Sequence, residues 1–420
     1  MGDLDTTDAS AGLLDQRGVG GQGGLLDQRP DPVFHWFLPT GGDSRVLSAS
    51  SHGFAIGSST VRTATGGDRP ASLSYLTQIA HAAEDVGFTG LLTPTGSHCL
   101  DAWLVTSALL AATHRVKFLV AFRPGVVQPR LAADFVQAFQ QLSDGRLLLN
   151  VVVGGSAAEQ RSYGDFVDHD GRYARAEEFL DIVDRLLDGD VVDHEGDHFR
   201  LTGASLGAPV TKPAIYLGGS STAAVEVAAR RADVFLTWGE PPAQVAEKIA
   251  GVRAAAAREG RTVRCGIRLH VIARETAAQA WARADELISG LDEATIAARQ
   301  EALQGLESVG QQRMLALHGG RRDRLEVAPN LWAGLGLVRG GAGTALVGSH
   351  DEVAARLEEY RDLGIDEFIL SGYPHLEEAY EVGEQVLPRV AARVAHAPTT
   401  AASTTEVTPS PASVLSGAPR

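Results

Sequence analysis

Short apolar runs rich in β-branched and aromatic residues recur along the chain, separated by longer segments in which apolar positions have helical spacing. Such runs predict strands, because a strand that is buried on both faces is apolar at nearly every position. Eight runs can be recognised, at residues 34–38, 90–93, 116–122, 147–153, 215–217, 234–238, 267–272 and 368–371.

The segments between the runs predict amphipathic helices. Leu76, Ile79 and Ala83 share one face of the segment 73–86, and residues 173–187 repeat the pattern. Alternating strands and helices give parallel strands joined by right-handed crossovers. Eight strands favour closure into a (β/α)8 TIM barrel of the α/β class, with an open doubly wound sheet as the alternative.

The spacing breaks once, between strands seven and eight. Residues 291–345 form a long insertion that is polar, glycine-rich and locally basic, which predicts either a lid over the catalytic end of the barrel or a fixed structural insertion. Residues 1–30 are rich in Gly, Asp and Gln, and residues 396–420 are rich in Ala, Thr, Ser and Pro. We therefore expect a disordered leader and a disordered tail around a barrel domain at 31–395.

Composition narrows the classes of function. The formal net charge of −15 argues against a nucleic-acid partner, because phosphate contacts need a basic face. Cys99 and Cys265 are the only cysteines, which excludes a disulfide framework. With no signal-peptide pattern and no apolar run long enough to span a membrane, we expect a cytoplasmic protein without a membrane partner.

Polar residues near the predicted strand ends are candidates for chemistry, because the carboxyl ends of barrel strands form the active site. Asn150 lies on strand four, Cys99 follows strand two and Tyr373 follows strand eight. Strand five leads into Ser220 and Ser221 at the start of a helix. Hydroxyl and backbone N–H groups there predict an anion cradle, with simple helix capping as the alternative.

Strand seven and the insertion supply candidate cations. Alternation along the strand turns Arg268 and His270 into the barrel, where a buried charge needs a partner or a ligand. Arg321 and Arg322 in the insertion could close over an anionic group with bidentate hydrogen bonds. No HExxH or CxxC pattern occurs and no GxGxxG follows a predicted strand, so neither a metal centre nor a tightly bound NAD is expected.

Longer segments around these positions resemble the FMNH2-dependent alkanesulfonate monooxygenases, members of the bacterial-luciferase-like flavin monooxygenase superfamily. The resemblance covers about residues 34–392. It is carried by WFLPT at 36–40, PTGSHCLDAW at 94–103, LTWGEPP at 236–242, GIRLHV at 266–271, SVGQQRM at 308–314, PNLWAG at 329–334, RGGAGTALVG at 339–348 and SGYPHLEEAY at 371–380.

The resemblance implies a two-component enzyme for sulfur acquisition, built as a homo-oligomer, either a dimer or a tetramer. Reduced FMN would come from a separate NAD(P)H-dependent flavin reductase and, with O2, would oxygenate an alkanesulfonate to an aldehyde and sulfite. The implied catalytic positions are Cys99, Arg268, His270, Arg322 and Tyr373. The implied substrate contacts are Trp238, Arg268 and Arg322, and the implied flavin contacts are Asn150, Tyr173, Ser220 and Ser221.

Three alternatives stay open. A methanesulfonate-specific monooxygenase shares nearly all of these segments, and a deazaflavin-dependent oxidoreductase shares the barrel. A non-catalytic flavin-binding barrel is expected to lose the arginines and the lid. The chain also departs from the family in its leader, in the long loop at 44–71 and in Leu100, where an acidic residue is common. Because that loop borders the expected substrate mouth, the preferred sulfonate is left open.

Overall fold

The structure is a computed structural model that describes residues 31–47 and 69–390, so the expected leader and tail and the middle of the 44–71 loop lie outside the described residues. Its strands are β1 (Val33–Phe37), β2 (Gly90–Thr93), β3 (Lys117–Phe122), β4 (Leu147–Val151), β5 (Val192–Glu195), β6 (Arg200–Ala204), β7 (Ile215–Gly218), β8 (Val234–Trp238), β9 (Arg264–Arg274), β10 (Glu326–Ala328), β11 (Leu331–Trp332), β12 (Ala345–Ser349) and β13 (Glu367–Ser371). Its helices are α1 (Leu73–Asp85), α2 (Ala102–Leu110), α3 (Pro129–Ser143), α4 (Ala157–Ser162), α5 (His169–Leu187), α6 (Thr222–Arg231), α7 (Pro242–Arg258), α8 (Ala277–Ile288), α9 (Glu293–Gln304), α10 (Val309–His318), α11 (His350–Asp362) and α12 (His375–Gln385).

Eight parallel strands close into a barrel. They follow the order β1, β2, β3, β4, β7, β8, β9 and β13, and β13 pairs with β1 to complete the circle. Each of these strands overlaps one of the runs predicted from sequence, and each leads into at least one helix. The (β/α)8 TIM barrel is therefore confirmed, and the pairing of β8 with β9 excludes the open sheet.

The two faces of the barrel strands pack into different clusters. Ile267, Leu269 and Val271 belong to the main hydrophobic core, between the strands and the surrounding helices. A smaller cluster fills the interior of the barrel: Phe37, Leu92, Leu119, Leu148, Tyr216, Val234 and Ile369. Because side chains alternate along a strand, Arg268 and His270 face the interior, as the sequence predicted.

A buried carboxylate holds the amino end of the barrel interior together. Glu367, the first residue of β13, accepts hydrogen bonds from the Tyr216 hydroxyl at 2.7 Å and from the His35 imidazole at 3.1 Å, and it pairs with Arg264. Burial alone would raise the pKa of Glu367, but these partners hold the pKa below its usual range. This network lies at the end of the barrel that TIM-barrel enzymes use for stability.

The insertion between β9 and β13 has secondary structure of its own. β12 runs parallel to the second half of β9, and β11 and β10 extend the same sheet in antiparallel fashion. A second hydrophobic cluster lies within the insertion. It joins α9 to Trp332 and to a 3₁₀ helix at Gly334–Leu337. This part of the insertion therefore has a packed core and regular elements of its own.

Close backbone packing explains part of the glycine content that suggested mobility. A Cβ atom on Gly343 would lie 2.8 Å from the Cα atom of Gly336, so only glycine lets these two segments meet. Whether the insertion moves as a lid stays a prediction. Within residues 31–47 and 69–390, no helix is long and apolar enough to cross a membrane.

Candidate active site

The residues predicted to contact flavin meet in one cleft at the carboxyl end of the barrel. They come from β4, from α5 and from the turn between β7 and α6, and the ends of β8 and β9 line the same space. The predicted residues in this cleft are Asn150, Tyr173, Ser220, Ser221, Trp238 and Arg268. The barrel thus brings together side chains that are more than a hundred residues apart in the sequence.

The start of α6 gives the cleft hydrogen-bond donors. Ser221 caps the helix, since its Oγ accepts a hydrogen bond from the Ala224 N–H at 3.2 Å. The Tyr173 side chain is hydrogen-bonded to Ser221, and burial raises the pKa of this phenol, which therefore stays protonated. Capping and anion binding are compatible, because a helix start offers several free N–H groups and the positive end of its dipole.

The insertion forms one wall of the cleft. Ser308, Val309 and Gly310 at the start of α10 line it opposite the barrel strands. Gly310 passes so close to the Trp238 ring that a Cβ atom there would lie 3.2 Å from Cζ3. The sequence assigned the lid function to arginines of the insertion and did not anticipate that a helix start would contribute to this wall.

Two ion pairs anchor α10 on the barrel. Arg313 donates two hydrogen bonds to the Glu240 carboxylate, at 2.8 and 2.7 Å, and Lys248 binds the same carboxylate at 2.8 Å. Glu240 is fully buried, which alone would raise its pKa, but the two cations hold the pKa below its usual range. Arg172 of α5 pairs with Glu307, just before α10, at 2.8 Å. These contacts hold α10 against the cleft.

Cations and aromatic rings form a second group beside the cleft. Nη2 of Arg268 donates to the Ser371 Oγ at 2.8 Å, and Nδ1 of His270 lies 2.7 Å from the same oxygen. The His270 and Tyr373 rings stack with their centres 5.6 Å apart. Arg339 contacts Nε2 of His270. We call the following residues the arginine cluster: Phe37, Arg268, His270, Arg339 and Tyr373.

The arginine cluster has an excess of positive charge in a buried place. In the part of the chain that the structure describes, neither Arg268 nor Arg339 forms an ion pair with a carboxylate. Burial, and then the charge of Arg339, lower the pKa of Arg268 and of His270 well below their usual ranges. A guanidinium can only donate, so Nε2 of His270 acts as an acceptor and the imidazole is neutral.

Tyr373 contributes a protonated hydroxyl to this cluster. Its side chain is buried, and its hydroxyl has no hydrogen-bond partner among the described residues. Burial raises the pKa of Tyr373, which the nearby arginines only partly oppose. The phenol is therefore available as a proton donor to a group that enters the cluster.

Cys99 lies in the loop after β2, where the sequence predicted it. Burial raises the pKa of its thiol, and the charge of Glu159 adds to the effect, while Thr40, Arg339 and Arg123 oppose it. The side chain is thus a thiol and not a thiolate at neutral pH. It can donate a hydrogen bond, whereas nucleophilic chemistry would need the ionised form.

The structure does not bring Arg322 to the cleft. Its Nη2 donates to the carbonyl oxygens of Ile288 and Leu291 at 2.7 and 2.9 Å, which places the side chain at the end of α8. Arg339 is the arginine of the insertion that reaches the arginine cluster. The sequence analysis included it in the segment at 339–348 but predicted no role for it. Its position depends on the pairing of β12 with β9 beside His270, which no local pattern in the sequence contains.

Comparison with known proteins identifies the class. The sequence profile of the luciferase-like monooxygenases matches residues 34–367, and the chain belongs to that family. Family membership supports an oxidoreductase, in agreement with a protonated donor and unpaired cations at the catalytic end of a barrel.

Solved structures show the same fold at low sequence identity. A riboflavin lyase aligns with a TM-score of 0.71 and 22 % identity over 87 % of this chain and 92 % of its own. An EDTA monooxygenase from Chelativorans sp. BNC1 aligns with a TM-score of 0.67 and 19 % identity, over 87 % of this chain and 94 % of its own. A long-chain alkane monooxygenase aligns with a TM-score of 0.68 and 18 % identity, over 87 % of this chain and 92 % of its own.

Proposed function

We propose that this chain is an FMNH2-dependent alkanesulfonate monooxygenase that receives reduced FMN from a separate NAD(P)H-dependent flavin reductase. The observation that carries the proposal is the pair of buried guanidinium groups, Arg268 and Arg339, which have no carboxylate partner among the described residues. An unpaired buried charge is costly, so the site favours an anionic substrate. The three oxygens of a sulfonate can accept hydrogen bonds from both groups.

The cleft suits a phosphorylated flavin. Tyr173, Ser220 and Ser221 supply hydroxyls, and the start of α6 supplies N–H groups, which together form a donor set for a phosphate. Trp238 offers an apolar wall for a ring system, and Asn150 offers an amide. When bound, reduced FMN supplies the electrons with which O2 is activated for oxygen insertion.

The proposal gives a physical task to each side chain. Arg268 lines the cleft and belongs to the arginine cluster, so it holds the sulfonate beside the flavin. Arg339 completes the anion site, and neutral His270 orients it. Tyr373 donates a proton to an oxygen of the reacting group, and the wall formed by α10 keeps water away from it.

Substrate length and assembly are further parts of the proposal. A methanesulfonate-specific enzyme would use the same two arginines, so the arginine cluster does not favour a short or a long sulfonate. The two-component mechanism needs no membrane and no nucleic acid, and we propose that the protein works in the cytoplasm as a homo-oligomer.

Sulfite release tests the function. The protein is mixed with FMN, NAD(P)H, O2, a flavin reductase and a panel of alkanesulfonates from methanesulfonate to decanesulfonate, with Arg268→Met as the matched inactive variant. We expect sulfite and aldehyde in equal amounts, dependent on the reductase and absent with the variant. If no sulfonate yields sulfite while a carboxylate or an uncharged alkane is oxidised, the assignment of substrate is wrong.

A further inference from the structure

Glu159 links the loops that follow three neighbouring barrel strands. It belongs to α4, which follows β4, and its Oε2 atom lies 2.8 Å from Nη2 of Arg123, the residue after β3. Its Oε1 atom accepts a hydrogen bond at 2.7 Å from the backbone N–H of Ser97, in the loop after β2. One carboxylate therefore ties the β2 loop to the end of a barrel strand, at the carboxyl end of the barrel where the candidate active site lies.

Ser97 lies inside the turn that carries Cys99. The Cys99 N–H donates to the carbonyl oxygen of Gly96 at 3.0 Å, which closes the turn around Ser97. Leu100 fixes one end of the turn, because its N–H donates to the loop after β1 at 3.1 Å. The Ser97 N–H holds the turn from the other side through Glu159. The position of the Cys99 side chain thus depends on this carboxylate.

Arg123 in turn holds Glu159. The Arg123 side chain is buried, and its guanidinium carbon lies 5.3 Å from the centre of the Tyr163 ring, at the end of α4. Among the described residues, Glu159 is the carboxylate that pairs with this cation, and Nε and Nη1 of Arg123 have no hydrogen-bond partner. Because a buried cation is costly without its counter-charge, the pair keeps the carboxylate in one place.

The pair also places opposite charges near the Cys99 thiol. Burial raises the pKa of Cys99, and the negative charge of Glu159 raises it further, whereas the charges of Arg339 and Arg123 lower it. Loss of the Glu159 charge and loss of the Arg123 charge therefore act on the thiol in opposite directions. Other titratable groups near the thiol are His98 and Asp101 of the same loop and Tyr163 of α4.

We propose that Glu159, held by Arg123, is a positioning residue for Cys99, an inference that rests on the proposed function for its effect on turnover. The carboxylate holds the turn at Ser97 and so fixes the place from which the thiol donates its hydrogen bond. Neither Glu159 nor Arg123 is among the residues that line the flavin cleft, so both act through Cys99. A displacement of about 1 Å in such a donor can lower the rate of a reaction up to a hundredfold.

Alkylation of Cys99 tests the inference without flavin or turnover. Cys265, the second cysteine of the chain, is fully buried, so the reaction of the native protein with iodoacetamide reports Cys99. The thiolate is the nucleophile, so the rate rises with pH through the pKa of the thiol. Glu159→Gln should lower the midpoint of this profile by about half a pH unit or more, and Arg123→Met should raise it. Arg161→Met removes an exposed charge from the same helix and should leave the midpoint unchanged.

Turnover separates position from charge. Glu159→Ala removes the acceptor for the Ser97 N–H together with the charge, whereas Glu159→Gln keeps an acceptor. We expect Glu159→Ala to lower kcat for sulfite formation by roughly tenfold with KM for the sulfonate nearly unchanged, and Glu159→Gln to restore most of that loss.

Three results would overturn the inference. They are alkylation midpoints that do not move in opposite directions in Glu159→Gln and Arg123→Met, wild-type turnover in Glu159→Ala, and equal losses of kcat in the alanine and glutamine variants. If the alanine variant fails to fold, the alkylation midpoints decide alone. Absence of sulfite from the wild-type protein refutes the proposed function separately, because alkylation needs no substrate.

Discussion

Arg339 contacts Nε2 of His270, so a residue of the insertion completes a site that begins on a barrel strand. The contact exists because β12 lies beside β9, with Ala345 opposite His270. The insertion therefore contributes a residue to the arginine cluster as well as a wall to the cleft.

The two candidate arginines of the insertion can be told apart by substitution. Arg339→Ala should lower kcat/KM for sulfite formation by about two or more orders of magnitude, as Arg268→Ala should, because each removes a buried positive charge from the proposed anion site. Arg322→Ala is the matched comparison, since it removes an arginine that caps α8 outside the cleft. A larger loss with Arg322→Ala than with Arg339→Ala would show that the insertion rearranges during turnover and brings Arg322 to the anion.

The contrast between these arginines shows how far sequence could predict the site. Periodicity predicted the eight strands and the inward direction of Arg268 and His270, because both follow from local alternation. The contact of Arg339 depends on the register between β12 and β9, which no local pattern contains. The partnership of Asp43 with His375 likewise joins positions more than three hundred residues apart.

The anchoring of α10 predicts a loss of stability on Glu240→Gln. The change leaves Lys248 and Arg313 without their shared buried counter-charge, and removing one partner of a buried pair costs about 3 kcal/mol in the free energy of unfolding. Urea unfolding followed by circular dichroism measures it. Asp323→Asn breaks an ion pair with Arg321 at the surface and should leave the midpoint unchanged. Equal midpoints for the two variants would contradict the anchoring role.

Binding of reduced flavin should protect the insertion from proteolysis. The start of α10 lines the cleft, so a flavin there adds contacts that hold the following residues 319–324 in place. Limited trypsin digestion under anaerobic conditions should cut this segment more slowly with FMNH2 than without it. Cleavage at Arg200, which is exposed on the β5–β6 hairpin, gives the control rate. Equal protection of both sites, or of neither, removes the lid hypothesis.

The cleft predicts which hydroxyl matters for flavin affinity. Tyr173→Phe removes a donor that is hydrogen-bonded to the cap of α6, and a lost hydrogen bond to a charged phosphate weakens binding by roughly ten- to a hundredfold. Anaerobic fluorescence titration with FMNH2 measures the change. Tyr163→Phe, at a half-exposed tyrosine outside the cleft, is the control and should bind as the wild type does. If reduced riboflavin loses as much affinity as FMNH2 in Tyr173→Phe, the hydroxyl does not act on the phosphate.

The low pKa of Asp43 predicts how stability depends on pH. Burial alone would raise this pKa, but the contacts of the carboxylate with His375 and the hydrogen bond from the Tyr75 hydroxyl hold it low. Its pKa is about 2 in the folded protein against 3.8 for an ordinary aspartate, so ionised Asp43 stabilises the fold by about 2 kcal/mol. Because the folded-state pKa is the lower one, this contribution is fully present above about pH 4 and is lost as the pH falls towards 2. The difference in unfolding free energy between the wild type and Asp43→Asn should therefore be constant from pH 7 to about pH 4.5 and shrink below it. The variant keeps the side-chain volume, so a pH-independent part of the difference reports the lost hydrogen bonds. A difference that grows on acidification would mean that Asp43 is protonated in the folded protein.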